Sequence, residues 1–141
     1  MNIIATYTRK EALADGQQID ITETAQRFFR YPVFITRGAY AETVETGGNW
    51  VSKPDGTEEL ELPFGQDASG RLWDVINLAR FAALRERNAK TWDDRVRHFV
   101  VSVFGYKGHR RRKNVLLYSV IGPLDIDDPS PAITIMLPEE V

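Results

Sequence analysis

The residues with the most evident chemistry form a short basic run late in the chain. Residues 107–113 read KGHRRRK and hold five cationic side chains within seven positions. So dense a group of positive charges is typical of a segment that contacts anions, because phosphates and carboxylates neutralise it. The candidate binding residues are Tyr106, Lys107, His109, Arg110, Arg111, Arg112 and Lys113.

The sequence leaves three interpretations of this basic run open. It can be the tip of a β-hairpin that grips nucleic-acid phosphates, with Tyr106 and His109 available for stacking on bases. It can dock onto an acidic protein surface, including the acidic segment of a second copy of this chain. It can also be a solvated turn that keeps a hairpin soluble and discourages aggregation.

Carboxylates are concentrated in two other segments. Residues 54–67 hold five carboxylates and no cation, and residues 124–141 hold five more. The run DIDD at residues 125–128 lacks the glycine and the distant glutamate of a calcium loop, so we interpret it as a solvated turn. The chain, with a net charge of −2, therefore has one positive tip and two negative segments. The acidic surface expected to face a partner consists of Asp55, Glu58, Glu59 and Glu61.

Familiar catalytic and cofactor motifs are missing from the sequence. The chain has no cysteine and only two histidines, so it contains neither a thiolate nucleophile nor a zinc site built on sulfur. Gly47-Gly48 lacks the Lys-Ser/Thr of a phosphate-binding loop, and no HExxH motif or nucleophile elbow occurs. We expect no cofactor, no metal and no catalytic residue. An enzyme that brings together Tyr7, Arg9 and His98 in a transferase pocket remains a third hypothesis, and a protein without enzymatic activity is favoured.

One long helical pattern must organise the remaining elements. Over residues 69–88, apolar residues recur at the spacing of one helical face. Asp67 or Ser69 can cap the first turn, and Arg71 is expected outside the apolar face. This face is predicted to contain Leu72, Val75, Ile76, Ala79 and Ala83, widened by Leu78, Phe81 and Leu84.

Three strand patterns follow the helix, at residues 99–106, 115–121 and 132–137. They predict an antiparallel sheet of about three or more strands, packed against the long central helix. The basic run would then form the tip of the first hairpin of this sheet.

The first half of the chain is predicted to hold shorter elements. Thr8 and Glu11 form the pattern of a capping box at the start of a short helix, and further short strands and helices follow as far as residue 45. Residues 50–69 are acidic and rich in turn-forming residues, and we expect an exposed loop or ribbon there. The sequence as a whole predicts a single α+β domain over residues 1–141.

Composition also bounds where the protein acts. Hydrophobic residues make up 43% of the chain and charged residues 27%, as in ordinary soluble domains. No apolar run approaches the roughly 18–20 residues of a membrane span, and residues 1–10 lack the pattern of an export signal. We therefore expect a cytoplasmic protein with no membrane partner.

Several longer blocks of sequence look familiar together. They read YTRKEALADG at residues 7–16, IDITETA at 19–25, YPVFITRGAYAE at 31–42, GRLWDV at 70–75 and ITIMLPEE at 133–140. The chain resembles an uncharacterised family of small bacterial proteins that are carried on plasmids, phages and other mobile elements. The resemblance implies no established activity, cofactor or catalytic residue. It implies a setting in which small accessory proteins often interfere with host defences.

Two functions follow as expectations. The first is an interaction protein of a mobile element, without enzymatic activity, that binds a host protein or ribonucleoprotein complex as an anti-CRISPR or anti-restriction inhibitor. The alternative is a small accessory protein that binds nucleic acid through the basic hairpin at residues 107–113. Salt dependence separates them, because binding to phosphates weakens steeply as salt rises.

Overall fold

The computed structural model describes residues 7–86 and 95–141, and the last positions of the predicted helix, 87 and 88, lie outside them. The strands are β1 (Gln18–Asp20), β2 (Val33–Thr36), β3 (Asn49–Ser52), β4 (Glu58–Glu61), β5 (Val96–Phe104), β6 (Arg112–Asp125) and β7 (Asp128–Met136). The helices are α1 (Arg9–Ala14), α2 (Thr22–Ala25), α3 (Arg37–Tyr40) and α4 (Ala68–Glu86). A π-helical turn follows α3 at Ala41–Glu45, and short 3-10 turns lie at Tyr106–Gly108 and Pro138–Glu140.

The main sheet is mixed and has the strand order β1-β2-β7-β6-β5. The predicted C-terminal meander is present, since β5 pairs with β6 and β6 with β7, both antiparallel. Two N-terminal strands extend it, because β2 joins β7 in parallel and β1 pairs antiparallel with β2. The α+β fold predicted from the sequence is confirmed, and the sheet has two strands more than the three that the sequence pattern showed most clearly.

Helix α4 covers one face of this sheet. The Gly70 N–H donates to Asp67 Oδ1 over 2.6 Å, so Asp67 caps the first turn. The helix contributes Val75, Ile76, Ala79 and Ala82 to the core, where they share one cluster with Phe99, Val101, Val103, Leu117, Ile133 and Ile135. Burial of this apolar stripe is the main stabilising contact between helix and sheet.

Two predictions about the faces of α4 are wrong. Phe81 and Leu84 are 57% and 47% exposed, whereas Arg71 is only 6% exposed. At ~100° per residue, Phe81 lies about 140° around the helix from Ile76 and therefore falls outside the buried face. Arg71 precedes Val75 by one helical turn and so shares the buried face.

Helix α1 packs beside β1 and the end of β6. Its predicted cap is present, because Thr8 Oγ1 accepts the Glu11 N–H over 3.0 Å. Asp125, at the end of β6, accepts the backbone N–H groups of Arg9 and Lys10 over 3.1 and 3.0 Å. The acidic run at 125–128 therefore forms the turn between β6 and β7, and its first carboxylate ties that turn to α1.

The acidic residues 49–61 form a two-stranded ribbon outside the main sheet, which we call the acidic hairpin. Strands β3 and β4 pair antiparallel, from Ser52 opposite Glu58 to Asn49 opposite Glu61. Trp50 anchors the hairpin, because its indole N–H donates to Glu45 Oε2 over 2.7 Å. The predicted loop or ribbon is therefore a ribbon as far as Glu61 and a loop over residues 62–67, and positions 68 and 69 belong to α4 instead.

The outer edge of β5 is covered by arginine side chains in the part of the chain that the structure describes. Arg85 donates to the carbonyl oxygen of His98 over 3.1 Å, Arg112 to that of Ser102 over 3.4 Å, and Arg71 to that of Phe104 over 2.7 Å. An open strand edge is a template for pairing with another chain. Three charged donors along this edge make such pairing less favourable.

Candidate anion-binding surface

The basic run lies on a structured loop between β5 and β6. We call residues 105–113 the basic tip. Gly105 and Gly108 adopt φ of +82° and +81°, values that a residue with a Cβ rarely adopts. The Gly105 N–H donates to Arg111 O over 3.1 Å, and the Arg111 N–H donates to His109 O over 2.8 Å. These backbone bonds order the loop without using its cationic side chains.

Close backbone packing fixes the base of the basic tip. A Cβ on Gly47 would lie 2.4 Å from the oxygen of Gly105 and 2.5 Å from the nitrogen of Gly108, so no side chain fits there. Next to this contact, the Lys107 N–H donates to Thr46 Oγ1 over 2.9 Å. The turn after α3 therefore serves as a support for the tip.

Tyr106 is held by a carboxylate at the same support. Its hydroxyl donates to Glu42 Oε2 over 2.5 Å, and this bond raises the pKa of Tyr106 above its usual value. The ammonium group of Lys107 lies 5.5 Å from the centre of the Tyr106 ring. Tyr106, which the sequence suggested as a stacking residue, is thus half-buried and anchors the loop through its hydroxyl.

Arg71 joins the core to the tip. Its Nη1 donates to the carbonyl oxygens of Val44 and Thr46 over 2.9 and 2.7 Å, and its Nη2 donates to Phe104 O. Its Nε donates to Gln66 Oε1 over 3.0 Å. Burial lowers the pKa of Arg71. One guanidinium therefore connects α4, the π-helical turn and the end of β5, directly beneath the tip.

Four side chains form what we call the arginine–phenylalanine row. Arg112 lies over the ring of Phe104 at 5.6 Å, and the rings of Phe104 and Phe64 are 5.3 Å apart. Arg110 lies over the ring of Phe64 at 5.1 Å. Two guanidinium groups thus flank two adjacent aromatic rings at distances that permit cation–π attraction.

Phe64 is the residue of this surface that sequence reasoning missed. Its φ is +59° and its side chain is 42% exposed. Within residues 7–86 and 95–141, the non-glycine residues with positive φ are Phe64 and Lys107, and both belong to this surface. The signal available in the sequence was the order Pro63-Phe64-Gly65, which places an aromatic residue between two turn formers.

The positions of the remaining predicted residues are split between loop and strand. His109, Arg110 and Arg111 lie in the loop, where all three are exposed. Arg112 and Lys113, expected beyond the end of the sheet, are instead the first residues of β6, opposite Phe104 and Val103. The strand starts earlier than predicted because backbone pairing begins before its first apolar residue, Val115.

The structure does not bring the acidic partner residues onto the basic tip. Asp55 accepts from Thr57 within its own turn, and Glu59 pairs with Lys53 over 2.6 Å. Glu58 and Glu61 are exposed on β4. Among the described residues, no carboxylate lies within 4 Å of a cationic group of the tip. The five cations therefore form no ion pair within the described chain.

Comparison with known proteins identifies the family of this chain. A family model described as "Family of unknown function (DUF6573)" matches residues 1–141. The chain belongs to this family. The expected membership of an uncharacterised family is thus confirmed. Searches of curated proteins and of solved structures found no significant match. DUF6573 carries no described activity, so function must be argued from the surface itself.

The transferase pocket imagined for this DUF6573 member is not assembled. Arg9 lies over Phe34 of β2 at 4.1 Å and donates to Leu124 O over 2.6 Å, whereas His98 lies on β5 at the opposite edge of the sheet. The Tyr7 hydroxyl donates to Asp15 over 2.6 Å, which raises the pKa of Tyr7 to about 12. These three side chains therefore share no site.

Across residues 7–86 and 95–141, no three His, Cys, Asp or Glu side chains are grouped so that they could hold a metal ion. No helix in those ranges combines the length and the apolar character needed to cross a bilayer.

Proposed function

We propose that this protein is an interaction protein without enzymatic activity that binds nucleic acid, free or within a ribonucleoprotein complex, through the basic tip. The observation that carries the proposal is that the loop of the basic tip is ordered while its positive charges form no ion pair in the described chain. Backbone contacts around Gly47 fix the loop, while its five cations face solvent without a carboxylate partner in the described chain. A loop that only kept a hairpin soluble would need neither feature.

The aromatic rings favour nucleic acid over an acidic protein surface. Phosphates attract clustered arginines by charge, and bases add contacts with aromatic faces and with guanidinium planes. An acidic protein surface would use the charges of Arg110 and Arg112 and would leave the adjacent Phe64 without a role.

The tip also contributes little to the core. Residues 107–114 are exposed, and the buried apolar cluster contains none of them. Clustered positive charges repel one another at some cost in free energy of folding, which an anionic partner would remove. Binding and folding are therefore separable at this site.

We place this activity in the setting that the family resemblance implies, a cytoplasmic accessory protein of a mobile element. Restriction and CRISPR complexes both act on nucleic acid, and CRISPR complexes hold it in positively charged channels. A protein that binds the phosphates of this nucleic acid would interfere with such complexes. This anti-defence role rests on the resemblance, and the basic tip supplies a physical means for it.

The test compares two triple variants with the same change in charge. The first is R110Q/R111Q/R112Q. The control is K10Q/R27Q/R30Q, whose residues lie outside the basic tip: the Lys10 backbone N–H donates to Asp125, Arg30 lines a cleft with Ser119 and Ile121, and Arg27 is exposed. Binding to labelled oligonucleotides of about 20 nucleotides is measured by fluorescence anisotropy at low and at high salt.

We expect the tip variant to bind at least about tenfold more weakly and the control to change little, because the tip contacts phosphates directly. Both variants should melt within about 2 °C of wild type, since the tip lies outside the core. Equal affinity of wild type and tip variant, at low and at high salt, would contradict the proposal.

A further inference from the structure

We infer that the nucleic acid bound by this surface is single-stranded, and that the ring of Phe64 is a platform on which one of its bases stacks. The inference rests on the proposed function and names its substrate class. Single-stranded DNA and RNA share the relevant chemistry, which is an anionic backbone with unpaired bases whose faces are accessible.

The geometry of the arginine–phenylalanine row supports this substrate. Arg110 and Arg112 stand at its two ends, and the rings of Phe64 and Phe104 lie between them, with neighbouring groups 5.1–5.6 Å apart. A single strand alternates charged phosphates with flat bases along its length. The row therefore offers a cation to the backbone next to a flat surface for a base, which can stack on a ring or on a guanidinium plane.

The backbone at Phe64 argues for a role of its exposed ring. An aromatic residue at φ +59° is uncommon, because this backbone conformation is strained for a residue with a Cβ. Glycine would occupy this position without strain. A side chain that remains 42% exposed recovers only part of its possible burial in the free protein. Stacking of a base on this ring would bury it further.

A duplex would make fewer contacts with this surface than a single strand. Its bases are already stacked on one another, so a protein reaches their edges and the phosphates but not their faces. A duplex can neutralise the arginines and leaves Phe64 without a base to stack on. The preference for a single strand should therefore depend on Phe64, whereas binding of phosphates should depend on the arginines.

The experiment compares wild type with F64A, F64W and F81A. Phe81 is a matched control, because it is an exposed phenylalanine on α4 and is not part of the arginine–phenylalanine row. The probes are single-stranded DNA, RNA of the same sequence, the DNA duplex, and a strand of abasic sugar phosphates, each of about 20 nucleotides. A strand that carries 2-aminopurine reports stacking directly through quenching of its fluorescence.

We expect wild type to bind the DNA or RNA strand at least about tenfold more tightly than the duplex. F64A should weaken binding to the single strand by about tenfold, leave binding to the duplex and the abasic strand unchanged, and abolish the quenching. F64W should keep both affinity and quenching, and F81A should behave as wild type. Thermal melting of F64A should show a folded protein.

Two outcomes would overturn the inference. One is F64A binding the single strand as tightly as wild type, and the other is equal wild-type affinity for the single strand and the duplex. The proposed function survives either of them, provided that R110Q/R111Q/R112Q still loses binding. Absence of binding to every probe at low salt would overturn the proposed function as well.

Discussion

Arg71 and Arg9 donate mainly to carbonyl and amide oxygens rather than to carboxylates. Arg71 reaches three backbone carbonyls at the support of the tip, and Arg9 reaches Leu124 O, Gln18 Oε1 and Thr134 Oγ1. Burial lowers the pKa of both guanidinium groups. The five N–H donors of arginine suit it to such sites, because one side chain can join several segments. These two arginines are structural, in contrast to the exposed Arg110 and Arg111 of the tip.

Asp125 gives a prediction about pH. Bonds from the Ile126, Lys10 and Arg9 N–H groups, together with the charge of Arg9, lower the pKa of Asp125. Because its folded-state pKa lies below its unfolded value, the stabilisation is present above the unfolded value of about 3.9 and is lost as pH falls through the folded value. We expect D125N to melt below wild type at pH 7, by a difference that shrinks as pH falls below about 4.

Calorimetry over this pH range tests the prediction, with D127N as the control. Asp127 is the exposed neighbour in the same turn. A difference in melting temperature between D125N and wild type that stays constant across the range would show that the carboxylate charge of Asp125 does not stabilise the fold. D127N should follow the wild-type melting curve throughout.

At the scale of elements, α4 and the meander of β5, β6 and β7 were predictable from sequence because their periodicity is local. Val75, Ile76 and Ala79 repeat at helical spacing, and Phe99, Val101 and Val103 alternate as a strand does. The parallel pairing of Val33 with Ile133 joins segments about 100 residues apart, and no local pattern encodes it. Phe81 was misplaced because apolar type does not specify which side of a helix meets the sheet.

The same elements explain which parts of the candidate site were predictable. The cations of residues 107–113 could be identified from the amino-acid composition of that segment. The roles of Phe64 and Arg71 could not, because they depend on the packing of the turn after α3 and of the start of α4 against the end of β5. The support at Gly47 depends on the same packing, since its contact with Gly105 joins loops that are distant in sequence.

Helix α4 gives a prediction with an internal control. Ile76 is fully buried in the core cluster, so I76D places an unpaired charge there at a cost of several kcal/mol. We expect I76D to be unfolded or to melt far below wild type. F81D should melt within a few degrees of wild type, because Phe81 is exposed. Circular dichroism melts of both variants test this, and similar melting of the two would contradict the assigned orientation of the helix.

At the scale of the whole molecule, charge is unevenly distributed. The basic tip projects at one end of β5 and β6, and the carboxylates of the acidic hairpin are exposed on a separate ribbon. The net charge of −2 therefore conceals a local positive field. Such a field draws an anionic partner to one site and discourages contact elsewhere, so it favours a defined orientation on a nucleic acid.

The binding of phosphates by the basic tip is tested most directly by the salt dependence of binding to a single strand. Affinity is measured from about 50 to 400 mM potassium chloride, and the slope of log K against log salt is obtained for wild type and for R110Q/R111Q/R112Q. Each phosphate contact on a single strand contributes about −0.7 to the slope, so three to five contacts predict a slope of about −2 to −3.5. Loss of the three arginines should make it shallower by about 2. A wild-type slope near zero, or one that the triple variant leaves unchanged, would contradict the assignment of the basic tip as a phosphate-binding surface.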